Sequence, residues 1–217
     1  EARSVAQLLY PGSIAVSGAG RARGGLGHAV FERLLRGGFR GPVYPVNPLV
    51  GYIGSVRAWP TVLDVPDHVD VAVIAVPADA TLEIVEQCGR TRVRGLVVAS
   101  AGFGTSDHGS DLARQLVERA RRWGIRVVGP ESLGIISTRP SVSMFATHAE
   151  AAAPVGRSGF LTQSGTLGMA ALEVARRRGV GISSFVDVGR KIDVSGNDVL
   201  QAWEEDPSTT VATLYLE

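Results

Sequence analysis

The sequence is poor in the residues that staple chains together or hold metals. Cys88 is its one cysteine, which excludes an internal disulfide and fits a reducing cytosol. Its place among apolar helix positions gives it a core role rather than that of a nucleophile. Four histidines, His28, His68, His108 and His148, are scattered without metal-ligand spacing, so no metal is expected. An excess of one charge is also missing. Lys and Arg total 22 against 21 Asp and Glu, a balance that removes the bulk electrostatic argument for nucleic acid. No apolar run approaches the roughly 18–20 residues of a membrane span. The first residues, Glu1-Ala-Arg-Ser4, carry neither a signal peptide's apolar core nor an initiator Met. A cytoplasmic chain without a membrane partner is expected, and one that is a piece of a longer polypeptide.

Glycine, by contrast, is abundant at 27 residues, as befits many β–α turns. The richest stretch organises the chain: Ser13-Ile-Ala-Val-Ser17, then a loop over Gly18–Gly27, then an amphipathic segment. Leu26, Val30 and Leu34 are spaced four apart, with Phe31 and Leu35 on the same flank, which predicts one buried helix face. Strand, glycine loop and helix open a nucleotide-binding α/β domain. Gly18 and Gly20 let the backbone turn and approach a ligand, and the helix start offers free N–H groups to a phosphate. A standard dinucleotide fingerprint places a third glycine where Arg23 stands; here glycines fall at 24, 25 and 27 instead. Phosphate binding and a plain flexible turn both fit the loop. Arg21 and Arg23 offer cations to a phosphate-rich ligand, or are simply solvated.

Further along, β-branched runs alternate with helical stripes. Val5, Leu8 and Leu9 predict a short leading helix ended by Pro11-Gly12. Strands are expected at Val43–Val46, Val69–Val76, Gly95–Ser100 and Arg126–Gly129, with helices over Thr81–Cys88 and along Leu112, Leu116, Val117, Ala120 and Trp123. This order predicts a parallel sheet with right-handed crossovers. Residues 137–157, rich in Ser, Thr, Pro, Ala and Gly, break the alternation and read as a linker between a domain over 1–136 and a second over 158–217. The second series has strands at Gly159–Gln163, Ile182–Val186 and Val211–Leu216. Ser164-Gly165-Thr166 caps one helix, and Asp198–Glu204 forms another.

Several of these segments carry a family resemblance. Gly18-Ala19-Gly20 with Gly25-Leu-Gly27-His-Ala29, Gly38–Pro48, Val73–Ala78, Ser100–Phe103 and Gly129-Pro130 resemble the CoA-binding domain of NDP-forming acyl-CoA synthetases. Gln163–Gly168 and Asp193–Asp198 resemble its first ligase domain, like the succinyl-CoA synthetase α subunit. The resemblance implies a Rossmann-like CoA-binding domain followed by an incomplete flavodoxin-like parallel-sheet domain. It implies CoA on the Gly18–Gly27 loop, with Gly18, Ala19, Gly20, Arg21, Arg23, Gly25 and Gly27 at the phosphates. Asn47-Pro48 and Val76-Pro77 would flank the nucleotide, and Ser100-Ala101 would line the pantetheine path. In such enzymes acid, CoA and NTP give acyl-CoA, NDP and phosphate through a phosphohistidine. Ser164, Gly165 and Thr166 match the helix start that cradles it, and Glu217 matches the glutamate that orients it. The histidine itself has no match here, nor does the ATP-grasp domain that handles ATP and ADP. All four histidines are expected at solvated or helix-surface positions.

Two residues depart from the pattern near the chemistry. Glu131 and Ser132 stand where relatives have Asn and Cys, and Arg190 replaces a common Asn; a carboxylate at 131 would repel a thiolate or an acyl-phosphate unless it is protonated or points away. Three functions therefore compete. One is the CoA-binding part of an acyl-CoA synthetase acting on a small carboxylic acid, leaving room for a homo-oligomer. Another is the regulatory CoA-binding region of a bacterial-type GCN5-related acetyltransferase fusion. The third, an NAD-linked oxidoreductase, lacks an acidic residue after its second strand, where Asn47 stands.

Overall fold

The computed structural model describes residues 2–151 and 154–217. Helix α1 (Ala2–Leu9) leads into strand β1 (Ile14–Ser17), and α2 (Leu26–Arg36) follows the glycine loop. Next come β2 (Val43–Val46), a small hairpin of β3 (Tyr52–Ile53) and β4 (Val56–Arg57), and β5 (Val71–Ile74). Helix α3 (Ala78–Arg90), β6 (Gly95–Val98), α4 (Asp107–Arg122) and β7 (Arg126–Val128) complete the first unit. Its five strands are all parallel, in the order β2-β1-β5-β6-β7. The order reverses between β1 and β5, which is where open α/β sheets bind ligands.

Alternation at period two explains which side each helix covers. Ile14, Val16, Val71 and Val73 face α1 and α2, whereas Ala15, Ala72 and Ile74 face α3 and α4. On α2, Val30, Phe31 and Leu34 are buried as expected, but Leu26 and Leu35 are 41% and 48% exposed, so the apolar stripe is narrower than its spacing predicts. Leu112, Leu116 and Ala120 of α4 are buried, while Val117 is half-buried and Trp123 exposed at the stripe's edge. Cys88 lies fully buried on α3, and burial pushes its thiol up to about 12.

The expected linker over 137–157 is not all loop but is crossed by strands; residues 152–153 of it lie outside the described residues, as does Glu1. Strand β8 (Gly134–Ser137) and β9 (Met144–Thr147) form an antiparallel hairpin, and β10 (Val155–Thr162) begins inside the same stretch. Helix α5 (Gly165–Arg178), β11 (Ile182–Asp187), α6 (Gly196–Glu204) and β12 (Val211–Tyr215) follow. The second sheet runs β12-β10-β11-β8-β9. Its first three strands are parallel as expected, and the hairpin adds an antiparallel edge. That segment folds because Ile135, Met144 and Ala146 alternate into the core, a pattern its polar composition conceals.

The two units share one core. Val5, Leu8, Phe31 and Leu34 of the first pack in the same cluster as Ile135, Leu161, Val186, Val199 and Trp203 of the second. Polar clasps flank it. Arg126 reaches Asp193 at 2.9 Å and Asp198 at 3.3 Å, and the Arg139 guanidinium lies 4.0 Å over the Tyr10 ring. Asp206, 6% exposed, accepts hydrogen bonds from Tyr10 (2.5 Å), Arg139 (2.5 Å) and Ser208. Burial alone raises the Asp206 pKa, but bonds from Ser208, Tyr10 and Thr209 outweigh it and bring it from 3.8 to about 2.

A depressed folded pKa contributes stability that is present above the unfolded value and lost as pH falls through the folded one. Between pH 4 and pH 2 the wild type should therefore lose about 2 kcal/mol more unfolding free energy than Asp206→Asn. Urea titrations across that range measure it, and parallel pH profiles for the two proteins would show that Asp206 is not held as described.

Candidate functional site

Two cavities open at the C-terminal ends of the strands. The first, of about 450 Å³, lies at the reversal of the first sheet. Gly18 after β1, Asn47 and Pro48 after β2, and Val76 and Pro77 after β5 line it. Sequence reasoning missed its other wall. Helix α3 begins at Ala78, three residues before the expected Thr81, and presents Ala80, Glu83, Ile84 and Gln87 to the cavity. The residues before α3 disguised that start, because Pro77 sits at its N-cap without a capping side chain. Leu49, 89% exposed, stands at the rim.

The glycine loop beside this cavity is built by close backbone approach. Gly18 has φ +88, and a Cβ there would come within 2.2 Å of the Ala75 carbonyl oxygen. Gly27 packs on the Gly18 peptide, where a Cβ would meet the Gly18 oxygen at 2.3 Å. Gly20 is different: a Cβ would find only Asn47 Nδ2, at 3.7 Å. Gly25 is the N-cap of α2. The Arg21 side chain is turned away, its Nε donating to the Tyr52 carbonyl at 3.1 Å, while Arg23 is exposed. Ala19 is buried, and its carbonyl accepts from Asn47 Nδ2 at 2.7 Å.

His28 does not lie at the solvated helix surface that its position suggested. It is 8% exposed, with Nδ1 2.6 Å from the Gly20 carbonyl oxygen. Its place three residues before buried Phe31 on the same stripe was the available signal. His148 is also half-buried, and burial lowers its pKa. His68 and His108 are exposed, and each faces an aspartate.

The second cavity, about 370 Å³, is lined by Glu131, Gln163, Gly189, Arg190 and Glu217. Loops from both units meet here. Asp187, fully buried at the end of β11, accepts the Leu133 N–H at 2.6 Å and the Gly189 N–H at 3.1 Å. Burial raises its pKa, partly offset by those two N–H groups, with the Glu217 charge adding to the rise. The Ser132 hydroxyl donates to the Asp187 carbonyl at 2.5 Å, so it is a seam residue. Glu131 and Arg190, the two departures from the resemblance, face each other with Oε2 and Nη1 3.8 Å apart. Glu131 also accepts the Gly102 N–H at 3.3 Å, so cationic and N–H partners oppose the repulsion expected of its carboxylate. The Glu217 N–H donates to Gln163 Oε1 at 3.0 Å.

Near this cavity, Ser164 precedes α5 without making a side-chain cap, unlike Ser106 before α4 and Ser195 before α6. The helix start at Gly165 and Thr166 thus keeps N–H groups free of a side-chain cap. Ser100 is buried, its hydroxyl donating to the Ile74 carbonyl at 3.3 Å, which leaves exposed Ala101 as the accessible member of that pair.

Residues 12–138 match the CoA binding domain model. The chain belongs to the CoA binding domain family. Beyond that CoA binding domain, residues 155–217 match the succinyl-CoA ligase like flavodoxin domain. The sequence is 42% identical over 212 residues to acetate–CoA ligase (ADP-forming) I of Archaeoglobus fulgidus, covering 97% of this chain and 30% of that protein. It is 34% identical to the α subunit of acetate–CoA ligase (ADP-forming) I of Pyrococcus furiosus, covering 99% and 47%. Its fold matches acetyl-coenzyme A synthetase 1 of Candidatus Korarchaeum cryptofilum, solved with phosphate and ADP, at a TM-score of 0.93. That match has 38% identity and covers 98% of this chain and 45% of that one. The chain thus spans about a third to a half of these relatives, which are archaeal ligases rather than bacterial-type acetyltransferase fusions.

The glycine geometry separates packing from binding. Gly18→Ala should lower stability by about 2–4 kcal/mol, through a strained φ and the Ala75 clash. Gly20→Leu should leave the melting temperature within a few degrees while removing CoA binding. Thermal melts with calorimetry check both, and a Gly20→Leu protein with intact affinity would make the loop a turn only.

Proposed function

We propose that this chain is the CoA-carrying portion of an NDP-forming acyl-CoA synthetase. The whole enzyme would convert a small carboxylic acid, CoA and NTP to acyl-CoA, NDP and phosphate. The observation that carries the reading is the convergence of two cavities on one edge: a nucleotide-sized, largely apolar one at the sheet reversal, and a charged one between the units. In this reading Asn47, Pro48, Val76, Pro77 and Ile84 enclose the adenine end. The N–H groups at Gly20 and Arg21 hold phosphate, and the chain of the ligand passes Ala101 toward Glu131. CoA supplies the thiol that becomes acylated; the protein's part is to hold that thiol at the second cavity.

There, in this reading, Glu217 accepts from a histidine ring and fixes its tautomer, and the α5 start at Ser164, Gly165 and Thr166 binds a phosphoryl group. The four histidines of this chain are not among that cavity's lining residues. In this reading the phosphohistidine and the ATP-grasp domain belong to other parts of the whole protein or to a partner chain. The reducing cytoplasm suits a thiol substrate.

Calorimetry on this chain tests the reading. CoA should bind and NAD should not, with no acyl-CoA formed when acetate and ATP are added to the chain alone. Binding of NAD in preference to CoA would overturn it.

A further inference from the structure

Two side chains hold successive peptides of the glycine loop by their carbonyl oxygens. Asn47 Nδ2 donates to Ala19 at 2.7 Å while its Oδ1 accepts the Leu49 N–H at 2.9 Å, so both ends of the amide are fixed. One residue further, His28 Nδ1 lies 2.6 Å from the Gly20 oxygen. A carbonyl oxygen only accepts, so Nδ1 carries the proton. The other nitrogen, Nε2, is buried without a hydrogen-bond partner among the described residues; Glu32 Oε1 is 3.5 Å away. Leaving it so is costly, and the Nδ1 contact is the ring's one hydrogen bond among the described residues.

The peptide unit is planar and trans, so its N–H points opposite to its carbonyl. Pinning the Ala19 and Gly20 carbonyls to Asn47 and His28 aims the Gly20 and Arg21 N–H groups away from those side chains. Neither N–H has an acceptor among the described residues. Between them, Gly20 has room for a Cβ and no left-handed φ, so packing within the chain does not demand its missing side chain. Each of these N–H groups, without an acceptor and beside a bare Cα, is open to an anion.

We infer that His28 is a positioning residue for phosphate: it fixes the Gly20–Arg21 peptide so that the Arg21 N–H meets a CoA phosphate oxygen. The inference rests on the CoA reading above. Asn47 does the same for the preceding peptide while also lining the nucleotide cavity. The two polar side chains thus turn a flexible glycine loop into a preset donor pair, which is how ordering cost is avoided on binding.

His28→Phe keeps the bulk and removes the donor, and His28→Asn returns a donor near the Nδ1 position. Phe should weaken CoA about five- to tenfold, Asn should stay within about twofold, and pantetheine, which has no phosphate, should bind Phe and wild type alike. Equal CoA affinity for Phe and wild type would overturn the inference, as would equal loss of CoA and pantetheine. Should Phe fail to fold, the wild-type protein still decides. Nitrogen NMR of the neutral His28 ring should show the Nδ1–H tautomer, and the Arg21 amide should shift on addition of inorganic pyrophosphate. An Nε2–H ring, or an unmoved Arg21 amide, contradicts the role. Failure of the wild type to bind CoA would instead strike the functional reading, with the pyrophosphate shift deciding His28 by itself.

Discussion

The Asp187 carboxylate holds the two halves of this molecule to a common edge. It is fully buried and takes N–H groups from Leu133, out of the first unit's last loop, and from Gly189, in its own. Ser132 returns a bond to the Asp187 carbonyl, and the Arg190 N–H reaches Pro130 at 3.0 Å. Removing one partner from such a network strands a buried polar group, which is why the seam has one register. Because that register brings the C-terminal strand ends of both sheets together, a ligand anchored on the first can present its far end to the second.

The shared core fixes how the two units pack. Helices α1, α2 and α6 belong to one apolar cluster with strands of both sheets, and the Arg126 and Asp206 clasps close its margins. Two domains joined by a flexible linker would have to find their relative pose on each binding event. Here the pose is set by folding, and the cost of ordering is met before any ligand arrives.

Much of this was legible in the sequence, for identifiable reasons. Strands with both faces buried announce themselves as β-branched runs, and the glycine loop between β1 and α2 is a local signal. What stayed hidden depends on distant partners. The hairpin of β8 and β9 looks like linker because Ser, Thr and Pro surround the few residues that alternate inward, Ile135, Met144 and Ala146 among them. The i, i+3 spacing of His28 and Phe31 hinted at its burial, but its acceptor, a backbone carbonyl eight residues away, has no mark in the side-chain pattern. The Glu131–Arg190 pairing joins residues nearly sixty positions apart, so each looked like an isolated departure.

A crystal structure of this chain with CoA tests whether one ligand spans both cavities. Adenine is expected between Asn47, Pro48, Val76 and Ile84, phosphate oxygens on the Gly20 and Arg21 N–H groups, and the thiol at Glu131 and Arg190. A CoA molecule seated elsewhere, or one whose thiol points away from the Glu131–Glu217 cavity, would contradict it.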